Sequence, residues 1–319
     1  MPRNKRFPIR FGLTVQPENA SWAEMVKVWQ LAEKVGYDAC FTSDHMIPVL
    51  YQEHPDYACM DGWSVLTGMA ALTRRLRLGV MITGVTYRQP AILAKMATTV
   101  DHISGGRLIM GIGAAWNVRE HTAYGIPFFP NAERIYRLRE TVQILKALWT
   151  QPRTTFEGKY YQIADAPFSP KPVQQPHPPI WVGGWGEQLT LKVVAQLADG
   201  WNTTGSPTAL RHKLDALYRH CDTFKRDPDA IEKSVMHLRL IMTKTRSEAE
   251  RAIEAFRGRT GRSATASADD YMLGTPEDMK DLIGRLIDLG FTCFSSVVTT
   301  PYDHDGIQRF AEEVIPAFR

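Results

Sequence analysis

The feature that most limits the possible folds is a repeated alternation. Short apolar runs and segments of helical periodicity follow one another from end to end. "IRFGLTV" (9–15), "ACFTSD" (39–44), "LRLGVMI" (76–82), "RLIMGIG" (107–113), "IWVGG" (180–184), "GWNTT" (200–204), "SVMHLRLIM" (234–242) and "TCFSSVV" (292–298) read as strands. They are near-continuous apolar runs, the pattern of parallel strands covered on both faces. After the first, Ser21 with Glu24 three residues on makes a capping box. Trp22, Met25, Trp29 and Ala32 then recur at helical spacing, and Gly36 supplies the stop. Further helices are expected near 62–73, 90–103, 132–149 and 207–225, between the fifth and sixth strands, from Thr275 to Gly290, and at the end of the chain. Such strand–helix units, eight in about 300 residues, favour an α/β fold closed into a (β/α)8 TIM barrel over an open doubly wound sheet. One domain, 1–319, is expected, with two insertions: a Pro-rich one near 151–179 with a hairpin at "FEGKYY", and a polar, basic one near 257–271.

Composition narrows the partners. No apolar run approaches the roughly 18 residues of a membrane span, and the basic N-terminus "MPRNKRFPIRFG" lacks a signal-peptide core. A cytoplasmic protein with no membrane partner is therefore expected. The net charge of +4 is spread along the chain. Its densest basic run, "TRRLRLG" (73–79), reads as a solvated helix end entering a strand, without the interleaved aromatics of a nucleic-acid face. Cys40, Cys59, Cys221 and Cys293 show no paired spacing, so neither a zinc site nor a disulfide framework is indicated.

Barrel enzymes build their sites at the C-terminal ends of the strands. Asp44 and His45 fall where the second strand leaves the barrel, which gives a core strand a reason to finish in two ionisable groups. An imidazole there is suited to exchange a proton near neutral pH. Asp44 points the other way if the pleat persists, so it is not expected to orient His45. "VMITG" (80–84) offers a small, apolar wall for a flat ring, and "GIGAAW" (111–116) permits close backbone approach. The latter is not a dinucleotide fingerprint, because Trp116 stands where the third glycine belongs. The amides of "VGGWGEQ" (182–188), ahead of a helix, can cradle a phosphate. The first strand has no histidine of a metal-hydrolase pattern, and "YDHDG" (302–306) reads as a helix N-cap, so no catalytic metal is expected.

Together these stretches resemble the bacterial luciferase-like superfamily of flavin and deazaflavin enzymes. The likeness is carried, in order, by "SDH", "GRLIMGIGAAWNVREHTAYG" (106–125), "ERIYRLRETVQILKALW" (133–149), "FEGKYYQI", "PKPVQQPHPPIWVGG" and "LADGWNTTG", and it spans nearly the whole chain. Asp-His after the second strand resembles the branch that uses the deazaflavin coenzyme F420. The resemblance implies an oxidoreductase, a homodimer in its working form, that moves a hydride between F420 and a small organic substrate. By position, Asp44 would contact the deazaflavin ring or its side chain, and Met81, Ile82 and Gly84 would line the ring's back face. Ala114, Ala115 and Arg119 would hold the ring edge and ribityl chain, and Gly184, Trp185, Gly186 and Glu187 the phosphate. His45 would be the acid–base group.

Relatives also imply a cis peptide between Met81 and Ile82, and the arginines at 257, 259 and 262 are expected to cover the barrel mouth. Trp116 and "MIPV" after His45 depart from the branch's sugar-phosphate dehydrogenase, which has a catalytic glutamate in place of the tryptophan. Trp116 is accordingly expected to wall an apolar substrate pocket. Two other readings stay open: an FMN-dependent monooxygenase fed by a separate flavin reductase, and a non-catalytic flavin-binding barrel.

Overall fold

The computed structural model describes residues 6–319 apart from 52, 55, 246, 253 and 255–269. The arginines expected to cover the mouth lie outside the described residues. The expected apolar runs form strands β1 (Arg10–Val15), β2 (Ala39–Thr42), β3 (Arg77–Val80), β4 (Met110–Gly113), β5 (Ile180–Gly183), β6 (Gly200–Thr203), β7 (Glu232–His237) and β8 (Cys293–Val298). They pair in parallel in chain order, and β1 bonds to both β2 and β8, so the first and last strands meet. At the β3–β4 seam the Leu78 amide donates to Arg107 O at 3.1 Å and the Ile109 amide to Leu78 O at 2.7 Å. The ring is thereby closed, as the alternation of the sequence led one to expect.

Closure sorts the side chains by the two-residue period of a strand. Phe11, Leu13 and Val15 of β1, with Met110 and Ile112 of β4, turn outward into the main apolar core shared with the helices. Ala39, Phe41, Ile109, Trp181 and Cys293 turn inward and form a second, smaller cluster with Met81 and Ile82. Phe41 and Trp181 meet at 6.2 Å, tilted by 43°, a contact that adds about 1 kcal/mol beyond its buried area. Gly200 is required beside them, because a Cβ there would overlap the Trp181 indole.

The helices are α1 (Trp22–Val35), α2 (Gly62–Leu72), α3 (Pro90–Ser104), α4 (Val118–Ala123), α5 (Asn131–Thr150), α6 (Thr190–Leu197), α7 (Pro207–Thr223), α8 (Pro276–Asp288) and α9 (His304–Glu313). Their ends follow local chemistry. Ser21 and Glu24 close the capping box on α1, and left-handed Gly36 ends it. Thr275 caps α8 ahead of Pro276, and Asp303 caps α9 by accepting from the Gly306 amide. The insertion at 151–179 carries the expected antiparallel hairpin, Arg153–Glu157 with Gln162–Pro167.

Two strands differ from expectation. The run 234–242 leaves the barrel after His237, and Leu240–Met242 pairs instead with Met272–Gly274, an edge that no local pattern announces. The run 76–82 breaks at a cis peptide between Met81 and Ile82, the position the resemblance implied, and resumes at Thr83–Gly84 beside β4. The C-terminal ends of β2, β3, β4 and β5 are therefore neighbours, and they carry every residue singled out for cofactor chemistry.

Candidate active site

His45 sits three residues beyond the end of β2, with 17% of its side chain exposed. Its Nδ1 lies 2.9 Å from both carboxylate oxygens of Glu120, which is wholly buried. The Tyr87 hydroxyl donates to Glu120 Oε1 at 3.0 Å and Asn117 Nδ2 to Oε2 at 3.2 Å. The Asn117 amide is oriented from its other side, since its Oδ1 caps α4 by accepting from the Arg119 and Glu120 amides. Burial, then the neighbouring Glu120 charge, pushes the Tyr87 hydroxyl up, so it stays a phenol and a donor. Two donors, the Tyr87 hydroxyl and the Asn117 amide, thus converge on a carboxylate that also faces His45 Nδ1. The Trp116 ring packs edge-on to His45 at 5.6 Å and is 53% exposed.

Glu120, Tyr87 and Asn117 were not foreseen as site residues. The one available signal was "NVRE": an Asn followed three residues later by Glu marks a helix start, but in a complete capping box the Glu turns back to the cap. Here it turns inward to His45.

Asp44 plays a separate part. Arg88 grips it with Nη1 to Oδ2 at 2.6 Å and Nη2 to Oδ1 at 3.1 Å, and Thr83 donates a further hydrogen bond to Oδ2. Arg88 Nη2 also reaches Asp61, the cap of α2, at 2.8 Å, and Trp63 Nε1 donates to Thr83 Oγ1 at 2.8 Å. Asp44 is only 4% exposed. Asp44 thereby ties the end of β2 to the loop after β3. Burial raises the Asp44 pKa and Arg88 opposes it. Burial likewise works against the Arg88 charge, but Asp44 and Asp61 outweigh it, and Arg88 is raised. As expected from the pleat, Asp44 does not orient His45.

The floor of the mouth is built from small residues. Ile82 projects into the ring, and a Cβ on Gly183 would overlap its Cδ1, so β5 needs glycine there. Met81 is buried beneath. Gly113 is also against Ile82, where a Cβ would come within 3.1 Å of its Cγ2, and a Cβ on Gly84 would meet the Tyr87 ring and the Ala115 methyl. Ala115 holds a left-handed φ of 59°, which costs a non-glycine residue on the order of 1 kcal/mol. Arg134 of α5 holds that turn by donating to the carbonyls of Ala114 and Ala115. Arg119 lies on the exposed side of α4.

Gly184, Trp185, Gly186 and Glu187 form the loop between β5 and α6. Helix α6 starts without any side-chain cap, and of its first-turn amides that of Leu191 donates to the Gly186 carbonyl of the loop at 2.9 Å. Helix α7 grips the loop from behind: Lys213 donates to Trp185 O at 3.1 Å, and Glu187 pairs with His212 at 3.4 Å and with Lys213 at 3.8 Å. Trp185 is 60% exposed. Among the described residues no group of three or more His, Cys, Asp or Glu side chains could hold a metal.

Cys59 closes the site from the loop after β2, donating to His45 O at 3.2 Å. Burial, then the Glu18, Glu120, Asp44 and Asp61 charges, pushes its thiol up to about 12. At pH 8 almost none is thiolate. Its alkylation by iodoacetamide in the native protein is expected to run roughly 10- to 100-fold slower than in the unfolded chain, since the scarcer thiolate is only partly offset by its higher nucleophilicity. Equal rates in peptide mass spectra would contradict this environment.

A parallel barrel with a small-residue floor, an uncapped helix start and a carboxylate-backed histidine at one mouth defines a class of ligand-binding βα barrel. The luciferase-like monooxygenase family model matches residues 7–292, and the chain belongs to that family. An uncharacterized protein of Mycobacterium tuberculosis is 35% identical over 188 residues, 55% of this chain and 65% of that protein, just under two thirds of its length. An F420-dependent glucose-6-phosphate dehydrogenase of Microbacterium testaceum is 27% identical over a 339-position alignment covering 98% of both chains. Among solved structures, an F420-dependent secondary alcohol dehydrogenase in complex with an F420-acetone adduct superposes with a TM-score of 0.85, over 98% of this chain and 100% of that one. At 22% identity that is a likeness of fold.

Proposed function

We propose that the protein is an F420-dependent oxidoreductase that moves a hydride between the deazaflavin and a small organic substrate. The observation that carries this reading is His45, backed by buried Glu120, at the edge of the flat floor made by Ile82 and Gly84. The names of the full-length relative and of the alcohol dehydrogenase support the choice of cofactor. F420, when bound, supplies two-electron hydride chemistry and reacts poorly with oxygen; the protein supplies orientation and a proton.

On this reading Met81, Ile82 and Gly84 form the back wall for the ring. Ala114 and Ala115 lie at its edge, with Arg119 toward the ribityl chain. Gly184, Trp185, Gly186 and Glu187, with the uncapped start of α6, receive the phosphate, and Asp44 keeps Thr83 and Arg88 in place beneath. Nδ1 of His45 faces Glu120, which leaves Nε2 to exchange a proton with the substrate. Trp116, exposed and against His45, makes an apolar or aromatic substrate a better fit than a phosphorylated sugar.

The same reading makes 1–319 one domain that acts as a homodimer in the cytoplasm. One ring of strands drawn from residues 10 to 298 supports the first. Exposed Leu72, Ile92 and Ile103 on neighbouring α2 and α3 support the second. Four free cysteines fit a reducing compartment, and no helix among the described residues is long and apolar enough to cross a membrane. The test is a fluorescence titration, with Trp116 and Trp185 as reporters. F420 is expected to bind much more tightly than FMN. Equal or tighter binding of FMN overturns the proposal in favour of the monooxygenase reading.

A further inference from the structure

Glu120 is a fully buried carboxylate at the mouth, and the chemistry above leaves it without a task. It lies in the first turn of α4, where a surface acid would simply meet the helix dipole. Instead it has no exposed surface; its oxygens accept from the Tyr87 hydroxyl and Asn117 Nδ2 and lie 2.9 Å from His45 Nδ1. The Arg88 guanidinium close by is taken up by Asp44 and Asp61. Among the described residues, His45 is therefore the one side chain hydrogen-bonded to Glu120 that can become its countercharge.

We propose that Glu120 is the positioning residue of the site. It keeps the neutral His45 ring in the tautomer protonated at Nδ1, so the Nε2 lone pair is what meets the substrate. An ionised carboxylate accepts and cannot donate, so it selects that tautomer over the one protonated at Nε2. When Nε2 takes a proton from the substrate, the imidazolium stays hydrogen-bonded to the carboxylate and is stabilised by it. In the opposite direction the same nitrogen returns the proton. Glu120 itself touches neither substrate nor cofactor, and Tyr87 and Asn117 keep it from rotating away.

The use of this proton rests on the oxidoreductase reading; the tautomer does not. The test is accordingly made first on the protein without cofactor, labelled with nitrogen-15 in its histidine rings. Long-range proton–nitrogen spectra, with His45 identified by its loss in His45→Asn, report which ring nitrogen carries the proton. Wild-type His45 is expected to be protonated at Nδ1 when neutral. In Glu120→Leu, which removes the acceptor, the ring is expected to revert to the Nε2-protonated form usual for a free imidazole.

In turnover with F420, Glu120→Gln is expected to lower kcat by roughly 10- to 1,000-fold. Substrate KM and cofactor Kd should move by no more than about twofold, because the lost interaction belongs to the transition state. Glu120→Asp, which retains the charge, should recover part of the loss. A wild-type ring protonated at Nε2 overturns the proposal without need of any variant, as does an unchanged tautomer in Glu120→Leu. A tautomer that switches as expected in a protein that fails to bind F420 supports the positioning role and overturns the cofactor reading instead.

Discussion

Replacing His45 with asparagine is expected to cut turnover by roughly 100- to 10,000-fold while leaving cofactor affinity intact, the usual range for loss of a general acid–base group. Asparagine is close in size, and its amide can still donate to Glu120, so the end of β2 should keep its shape. What disappears is a nitrogen that can be protonated and deprotonated near neutral pH. The floor that would bind the ring is made by Ile82, Gly84 and the alanines after β4, none of which depends on His45. The measurement is kcat with an identified substrate beside Kd from titration. Full turnover by His45→Asn would remove the proton-exchange role. A fall in affinity equal to the fall in kcat would make His45 a binding group.

Arg88→Ala is the second large expected effect, and it falls on stability. Arg88 holds both oxygens of a carboxylate that is 4% exposed. Removing one partner of a buried pair leaves the other charge uncompensated, at a cost of about 3 kcal/mol. The pH dependence has a definite sign. Burial already holds the Asp44 pKa above the ordinary carboxylate value, and Arg88 is the chief force opposing it. A carboxyl raised in the folded state lends stability below its unfolded pKa and loses it as pH climbs through the folded one. Without Arg88 the rise is larger, so the deficit against wild type should be smallest at acid pH and grow toward pH 8. Urea denaturation at pH 5 and pH 8 measures both. A deficit that shrinks with rising pH would mean that Asp44 does not carry the buried charge.

Much of this architecture was legible beforehand because it rests on near neighbours in the chain. A capping box such as Ser21–Glu24, or Thr275 ahead of Pro276, is complete within four residues. A short apolar run bounded by helical periodicity says strand without reference to the rest of the molecule. His45 could be singled out because a strand end is a local feature, and in a barrel every strand's C-terminal end faces the same way.

The partners of those residues were not legible, for a reason visible in Glu120. It lies 75 positions from His45, and as an acid in the first turn of a helix it has an ordinary local explanation. Asp44 and Arg88 are 44 positions apart, and the arginine before a helix carries no mark of what it will meet. The departure of the chain from the barrel after His237 depends on Met272–Gly274 being there to receive it. The sequence by itself determined the alternation, the helix ends and the rim position of His45, through interactions that each need only a few consecutive residues. Tertiary structure alone decided which carboxylate backs the histidine, which cation neutralises Asp44, and that Ile82 fills the space left by Gly183. Those choices follow from closing the ring, which brings the ends of β2, β3, β4 and β5 side by side.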